Sequence, residues 1–253
     1  MVYGEESMNA VAVMVSGGLD SFIAIEFAKS LGYRPLPLFV DYGQPYTNKE
    51  IESLNKNKVE YEKVKVEGFI NKKVTPDDWI VPGRNLLLAM FGAIRAGRVW
   101  IGALDGEMHK YAREKDKTPE FFYASSALLT YVLDIIRPDT IIETPFKYLT
   151  KTEVVAWAIS HGITKEQLLN TSSCYDEQDI NCGVCSTCFK RWVAMKNNGI
   201  EEAYKRNPVN NAYGAKTVFG MKQAYTYKKF THYSLKRCLE TFKAIGYKPE
   251  GVK

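Results

Sequence analysis

Five apolar residues, Val11–Val15, run into the adjacent glycines Gly17 and Gly18 and then into a helix-like stretch, Leu19–Leu31, that stops at Gly32. A short buried strand, a tight turn and a helix in this order form the first half of a βαβ unit. The next strand of such a unit lies parallel to the first. Gly32 supplies the left-handed residue that commonly closes a helix. The pattern then repeats: "PLPLFV" (35–40) reads as a strand and Pro45–Asn57 as a polar helix. "VEYEKVKV" (59–66) alternates as a strand does, and 82–97 reads as a helix with proline near its start and glycine at its end. "VWIGAL" (99–104) and Pro119–Ile135 add another strand and helix. The fold class is therefore α/β, a doubly wound, mostly parallel sheet, in which ligands bind beyond the carboxyl ends of the strands. The stretches 16–21, 41–44 and 102–107 all follow strands at that end.

With 253 residues the chain can bury a full core. Its net charge of +5 suits anionic substrates or nucleic acid and chooses neither. No apolar run is long enough to span a bilayer, and residues 1–9 lack a basic-then-apolar leader. A soluble, cytoplasmic protein is expected. Three segments are expected: an α/β domain over 1–150, a helical lobe over 151–204, and an extension over 205–253 of undecided role. In "TKTE" (150–153) Thr150 and Glu153 form a capping box that starts a helix ending at His161–Gly162, and Phe189–Lys196 reads as another helix.

Four of five cysteines fall in C-x7-C-x2-C-x2-C spacing, at Cys174, Cys182, Cys185 and Cys188. Clustering in a chain without an export signal favours a metal site over disulfides. Four thiolates suit one tetrahedral Zn²⁺ with no open position, hence a structural site; an iron–sulfur cluster and unligated buried thiols are the rivals. In "SGGLDS" (16–21) the glycines allow close backbone approach, Ser16 and Ser21 offer hydroxyls, and the helix starting near Leu19 presents free N–H groups to an anion. A carboxylate at Asp20 beside a phosphate makes sense if it carries Mg²⁺. The lysine of the commonest phosphate loop is missing.

"SGGLDS" resembles the pyrophosphate-binding loop of the PP-loop ATP-pyrophosphatases, which adenylate an oxygen and release pyrophosphate. With "DYGQ" (41–44), "VPGRN" (81–85), "ETPF…LTKTEV" (143–154) and the cysteine spacing, the order of motifs over residues 11–195 resembles the 7-cyano-7-deazaguanine synthases (QueC-like). The resemblance implies an adenine nucleotide alpha hydrolase-like fold with a helical zinc-knuckle lobe, ATP with Mg²⁺, a structural Zn²⁺ and commonly a homodimer. It implies ATP contacts at Val15, Ser16, Gly17, Gly18, Leu19, Asp20, Ser21, Val40, Asp41, Tyr42 and Gln44. Arg84, Asn85 and Asp116 would meet the substrate, and Asp20, Arg84 and Lys151 would serve catalysis. The implied reaction takes 7-carboxy-7-deazaguanine, ammonia and ATP to the 7-cyano compound. No histidine is assigned a catalytic part. The chain departs from the family's E-T-D-x-S-G-Y-P-D-C-R segment: "LDGEMHKYAREKDKTPEFF" is longer and has Lys117–Thr118 where the family has Cys–Arg. Two other readings stay open: a related synthase that adenylates and amidates or conjugates another carboxylate, or stops at the amide, and a non-catalytic zinc-knuckle module binding nucleic acid through the tyrosine- and lysine-rich tail. The intact Asp20 argues against the latter.

Overall fold

The computed structural model describes residues 9–70, 81–108, 114–174, 176 and 180–249. His109 falls outside them. Strands β1 (Ala10–Met14), β2 (Arg34–Asp41), β3 (Glu62–Lys65), β4 (Arg98–Trp100) and β5 (Ile141–Glu143) form one all-parallel sheet in the order β3-β2-β1-β4-β5. The order reverses at β1, so the crevice for a ligand opens where the glycine turn leaves that strand. β1 is buried along its whole length, which explains its unbroken apolar run.

β2 contains Pro35 and Pro37, yet lies between two neighbours. The register resolves the conflict, because β1 pairs with Arg34–Leu38 and β3 begins only opposite Leu38. Arg34 donates toward the β1 side, to the Asn9 carbonyl, and the Asp41 carbonyl accepts from Val66 beyond β3. Alternation therefore points both prolines toward the side where no strand needs their missing N–H.

The helices are α1 (Leu19–Ser30), α2 (Thr47–Lys56), α3 (Arg84–Arg95), α4 (Pro119–Val132), α5 (Lys151–Ser160), α6 (Lys165–Leu169), α7 (Ser186–Asn197), α8 (Ala212–Thr226) and α9 (Leu235–Ala244). The helix expected over 82–97 is shorter, because Ala96 is already extended and Gly97 leads directly into β4, its carbonyl accepting from Ile141. The capping box at Thr150 and Glu153 is formed in both directions, and Thr164 with Gln167 makes a second one at α6.

One apolar cluster lies on each face of the sheet. The first joins Val11, Val13 and α1 to Val154, Val155 and Ala158 of α5 and to Ala194 and Met195 of α7. The second joins Ala12, Met14, Val99 and Ile142 to α3 and α4. A third, smaller cluster binds α8 and α9 to α7 through Phe189, Val193, Met221, Cys238 and Phe242. The tail is thus a helical cap whose Tyr225, Phe230 and Tyr233 pack against that third cluster. Among the described residues no helix is long and apolar enough to cross a membrane.

Candidate functional site

The turn after β1 is shaped by its glycines. Gly17 has φ +63°, and a Cβ there would lie 2.3 Å from the Glu50 carbonyl oxygen, so the loop presses directly on α2. Ser21 Oγ donates to the Gly18 carbonyl at 3.0 Å and accepts from the Ser16 N–H at 3.2 Å. Gly18 caps α1 with no side chain, leaving the helix's first N–H groups facing the crevice. Across the loop, the Ser172 N–H donates to the Gly17 carbonyl at 2.9 Å, tying it to the segment that enters the cysteine cluster.

A cavity of about 240 Å³ opens here. Val15, Ser16, Gly18, Leu19, Asp20, Ser21, Val40, Tyr42, Gln44, Arg84, Asn85 and Lys151 line it, together with Cys174. Asp20 Oδ1 accepts from Lys151 Nζ at 2.6 Å, joining the starts of α1 and α5 over 131 positions of sequence. The Lys151 side chain is only 10% exposed, so the pair works in a weakened dielectric. Arg84 opens α3 behind Gly83, whose φ is +74°, and its Nε donates to Asn85 Oδ1 at 3.1 Å. Asn85 is buried and its Nδ2 donates to the Asp116 carbonyl at 2.8 Å.

Three expected residues stand apart from the cavity wall: Gly17, Asp41 and Asp116. Asp41 accepts from the Gly43 N–H at 3.2 Å, an Asx turn, and pairs with Lys63 at 3.1 Å. Asp116 meets Asn85 through its backbone, and Lys117 supplies the side chain that lines the cavity. His161 stacks on Trp157 at 4.1 Å, on the far end of α5 from Lys151.

Sequence reading missed a set of buried charges. Glu107, from the loop after β4, pairs with Lys190 of α7 and lies 3.8 Å from Lys117. Burial would raise the Glu107 pKa, but Lys117 and Lys190 outweigh it and hold the carboxyl well below its usual range. Lys190 is lowered too, chiefly by burial, because it shares one carboxylate with Lys117 and also feels Arg237. The pair is thus a carboxylate crowded by cations, which is consistent with both shifts. No motif links positions 83 residues apart, so only the fold reveals it.

Glu50 is the other omission. Its Oε2 accepts from Gln44 Nε2 at 2.8 Å, and burial pushes its carboxyl up to about 8, against the pull of Gln44 and Arg84. A carboxyl raised from 4.5 to about 8 holds a proton in the folded protein that the unfolded chain has released, so stability falls as pH rises through that window. Glu50→Gln keeps an acceptor for Gln44 and is expected to flatten this decline. Urea denaturation at pH 5 and pH 8 checks it, and an equally steep decline in the variant would refute the assignment.

The four cysteine sulfurs lie within 4.8 Å of one another, a set that could hold one metal ion. Backbone N–H groups of Cys182, Val184 and Cys188 point at Cys174, Cys182 and Cys185 Sγ respectively, at 3.3–3.4 Å. Such donors stabilise thiolates; within the cluster the thiols share protons, the Cys174 and Cys188 contacts holding Cys185 low while the same contacts push Cys174 and Cys188 up.

A glycine-bearing loop at the switch point of a parallel sheet, with free helix N–H groups and an aspartate–lysine pair over it, forms an anion-binding site of the kind an ATP-dependent ligase of the PP-loop class requires. The chain belongs to the QueC family: the model described as queuosine biosynthesis protein QueC matches residues 51–199, more than half of its length. Its relatives include proteins named 7-cyano-7-deazaguanine synthase from Thermoplasma acidophilum (29% identical over 225 residues, 78% of this chain and 92% of the relative), Methanoculleus marisnigri (29% over 223 residues, 77% and 97%) and Desulfitobacterium hafniense (30% over 226 residues, 77% and 92%). Among solved structures, an NMN synthetase from Francisella tularensis superposes with a TM-score of 0.45 at 13% identity, covering 88% of this chain and 87% of that one.

Proposed function

We propose that the chain converts 7-carboxy-7-deazaguanine and ammonia to 7-cyano-7-deazaguanine, using ATP twice. The observation that carries the reading is the Asp20–Lys151 pair over the pyrophosphate loop, in one cavity with Arg84 and Asn85. It stands in a chain whose relatives bear that synthase's name. The substrate carboxylate attacks the α-phosphorus of ATP and pyrophosphate leaves. Ammonia then displaces AMP to give the amide. In the second round the amide oxygen is adenylated and departs in AMP, while the nitrogen loses both protons and the nitrile forms.

This chain's own share is binding, positioning and charge stabilisation. Ser16, Ser21 and the first N–H groups of α1 take the pyrophosphate. Lys151 and Arg84 meet the charge that develops on the phosphates, and Arg84, Asn85 and the Asp116 turn face the acceptor. Val40, Tyr42 and Gln44 line the nucleotide's side, with Asp41 behind them. Asp20, Ser16 and Ser21 line the same cavity with hard oxygens that would hold Mg²⁺, Asp20 by exchanging bonds it now accepts from Lys151; when bound the ion would neutralise phosphate charge.

Zn²⁺ fits the four thiolates, and its role is structural: it would fix the segment through Ser172 and Cys174 against the loop at Gly17. The proposed division is 1–150 for ATP, 151–204 for the knuckle lobe and 205–253 for the extension. A homodimer in the cytoplasm belongs to the same proposal. Leu86, Met90 and Ile94, exposed at four-residue spacing on α3, give it an apolar stripe, and sedimentation reads the mass.

The test incubates the metal-loaded protein with ATP, Mg²⁺, ammonium and 7-carboxy-7-deazaguanine, following AMP and product mass. A nitrile supports the proposal, and the absence of acid-dependent AMP sinks it. A second reading, a synthase that stops at the amide or amidates another carboxylate, is favoured by Lys117 on the cavity wall where the family segment differs. Accumulation of amide would select it.

A further inference from the structure

The C-terminal extension lies beyond the family match at 51–199, yet one end of it packs on the turn that leads to Glu107 on the cavity wall. The helix α9 is anchored by Cys238 and Phe242, both buried in the third apolar cluster, and by Asn197 Nδ2, which donates to the Glu240 carbonyl at 2.8 Å. From that base its first turn makes contacts in two directions. Ser234 Oγ donates to Asp105 Oδ2 at 2.6 Å, and Arg237 Nη1 donates to the Gly106 carbonyl at 3.5 Å. Gly106 has φ +78°, and a Cβ there would lie 2.4 Å from Arg237 Cδ, so this loop and α9 are in direct contact. In the other direction Lys236 Nζ donates to the Tyr148 carbonyl at 2.9 Å and to Glu153 Oε1 at 3.2 Å. Glu153 is the capping-box partner of the helix that begins at Lys151.

The residue after Gly106 is Glu107, the carboxylate that holds Lys190 and Lys117 in the cavity. The loop carrying it is tied to the sheet side by the Asp105 N–H, which donates to the Leu149 carbonyl at 2.9 Å, and by Ala103, whose N–H and carbonyl both bond Thr144 Oγ1. Those ties end at Asp105. The next residue, Gly106, leans on α9, and Glu107 then closes the turn, its N–H donating to the Leu104 carbonyl at 3.0 Å and its Oε2 accepting from the Leu104 N–H at 3.4 Å.

We propose that α9 is a positioning element of the active site: Ser234 and Arg237 fix the 105–107 turn so that Glu107 presents Lys190 and Lys117 to an anionic acceptor, a carboxylate. The proposal rests on the ligase reading above and adds a part for the extension that neither the family match nor the motifs assign. Ser234 and Arg237 touch no substrate and act through Glu107. A substrate-side effect is expected, because the nucleotide loop is fixed separately by Ser172 and α2.

Ser234→Asp is the decisive variant. Aspartate remains a good N-cap for α9, so the helix keeps its start, but its carboxylate faces Asp105 and repels it. The KM for the acceptor acid should rise roughly tenfold, the loss of one hydrogen bond to a charged group, while the KM for ATP stays within about twofold. Amide hydrogen exchange should quicken in a peptide covering 102–108 and stay unchanged in one covering 14–24, with melting temperature and metal content retained. Adding Asp105→Asn, which removes the repulsion, should restore both readouts. Should Ser234→Asp fail to fold, Asp105→Ala probes the same contact from the loop and should show the same pattern. Unchanged exchange over 102–108, or an equal rise in both KM values, would overturn the proposal. Hydrogen exchange needs no substrate, so a negative nitrile assay refutes the function without deciding the positioning, and the two failures are told apart.

Discussion

Asp20→Ala is expected to lower AMP formation by on the order of a thousandfold while leaving the metal on the four cysteines, the size of effect seen when one preorganised charged contact leaves an active site. The argument begins with what the residue does not do. Asp20 is the second residue of α1, where a carboxylate stabilises the helix dipole by only about 0.3–1 kcal/mol. Its pair with Lys151 adds some stability, discounted because the Asp20 side chain is a quarter exposed at 26%. A total loss of about 1–2 kcal/mol leaves the protein folded. Activity is another matter. Without Asp20 the loop keeps its serines and helix N–H groups but lacks the carboxylate that can carry Mg²⁺ beside the phosphates. The cysteine sulfurs share no hydrogen bond with Asp20, so metal content should be unchanged. Lys151→Met, which keeps the buried stem and drops the charge, should lower kcat by about 10²–10³-fold at saturating Mg²⁺. The pair of variants separates the two halves of the contact. AMP release measured by chromatography, beside zinc content by elemental analysis, checks both; Asp20→Ala with full activity would remove Asp20 from the mechanism.

The parts of the site legible in the sequence were those whose chemistry is local. The glycine turn, the "TKTE" box and the C-x2-C-x2-C run each need only a few neighbouring residues, and the structure forms the first two as local geometry dictates. The sheet was legible for the same reason, since each strand–helix alternation is a short-range pattern. What escaped depends on chain segments meeting across the fold. Glu50 reads as one more charge on a polar helix, and only packing against Gln44 and the loop at Gly17 makes it a buried acid. Glu107 and Lys190 sit in unrelated segments, and their pairing follows from α7 meeting the loop after β4. The tail is a different case. Leu235, Cys238, Leu239 and Phe242 follow helical spacing after a serine cap, so α9 could have been read. The surrounding lysines and tyrosines obscured it, and the same lysine-rich face supplies the contacts to Tyr148 and Glu153. Asp41 is a residue whose local partners the sequence does show in part: its carboxylate accepts from the Gly43 N–H two residues on, whereas the pair with Lys63 depends on β3 lying beside β2.

Arg191→Ala should destabilise the protein by about 3–5 kcal/mol, the penalty for stripping one partner from a buried ion pair. Arg191 is fully buried, and its Nε donates to both carboxylate oxygens of Glu202 at 2.9 Å. Nη1 donates to Thr171 Oγ1 at 2.7 Å and Nη2 to the Leu168 carbonyl at 2.9 Å. Removing the guanidinium strands a carboxylate whose remaining partners are Asn181 and Tyr204. For a chain of this length the loss corresponds to a melting shift of roughly 10 °C. The consequence reaches the active site, because the segment that Arg191 holds at Leu168 and Thr171 continues into Ser172, whose N–H fixes Gly17. Arg191→Ala should therefore raise the KM for ATP as well as lower the melting temperature. The double variant Arg191→Met, Glu202→Gln tests the origin of the cost. With no unpaired charge left behind, it should be more stable than Arg191→Ala, as buried ion pairs replaced by neutral groups of similar size often are. If the double variant melts no higher than the single one, the buried charge is not what makes Arg191 indispensable, and the cost lies in the bonds to Leu168 and Thr171.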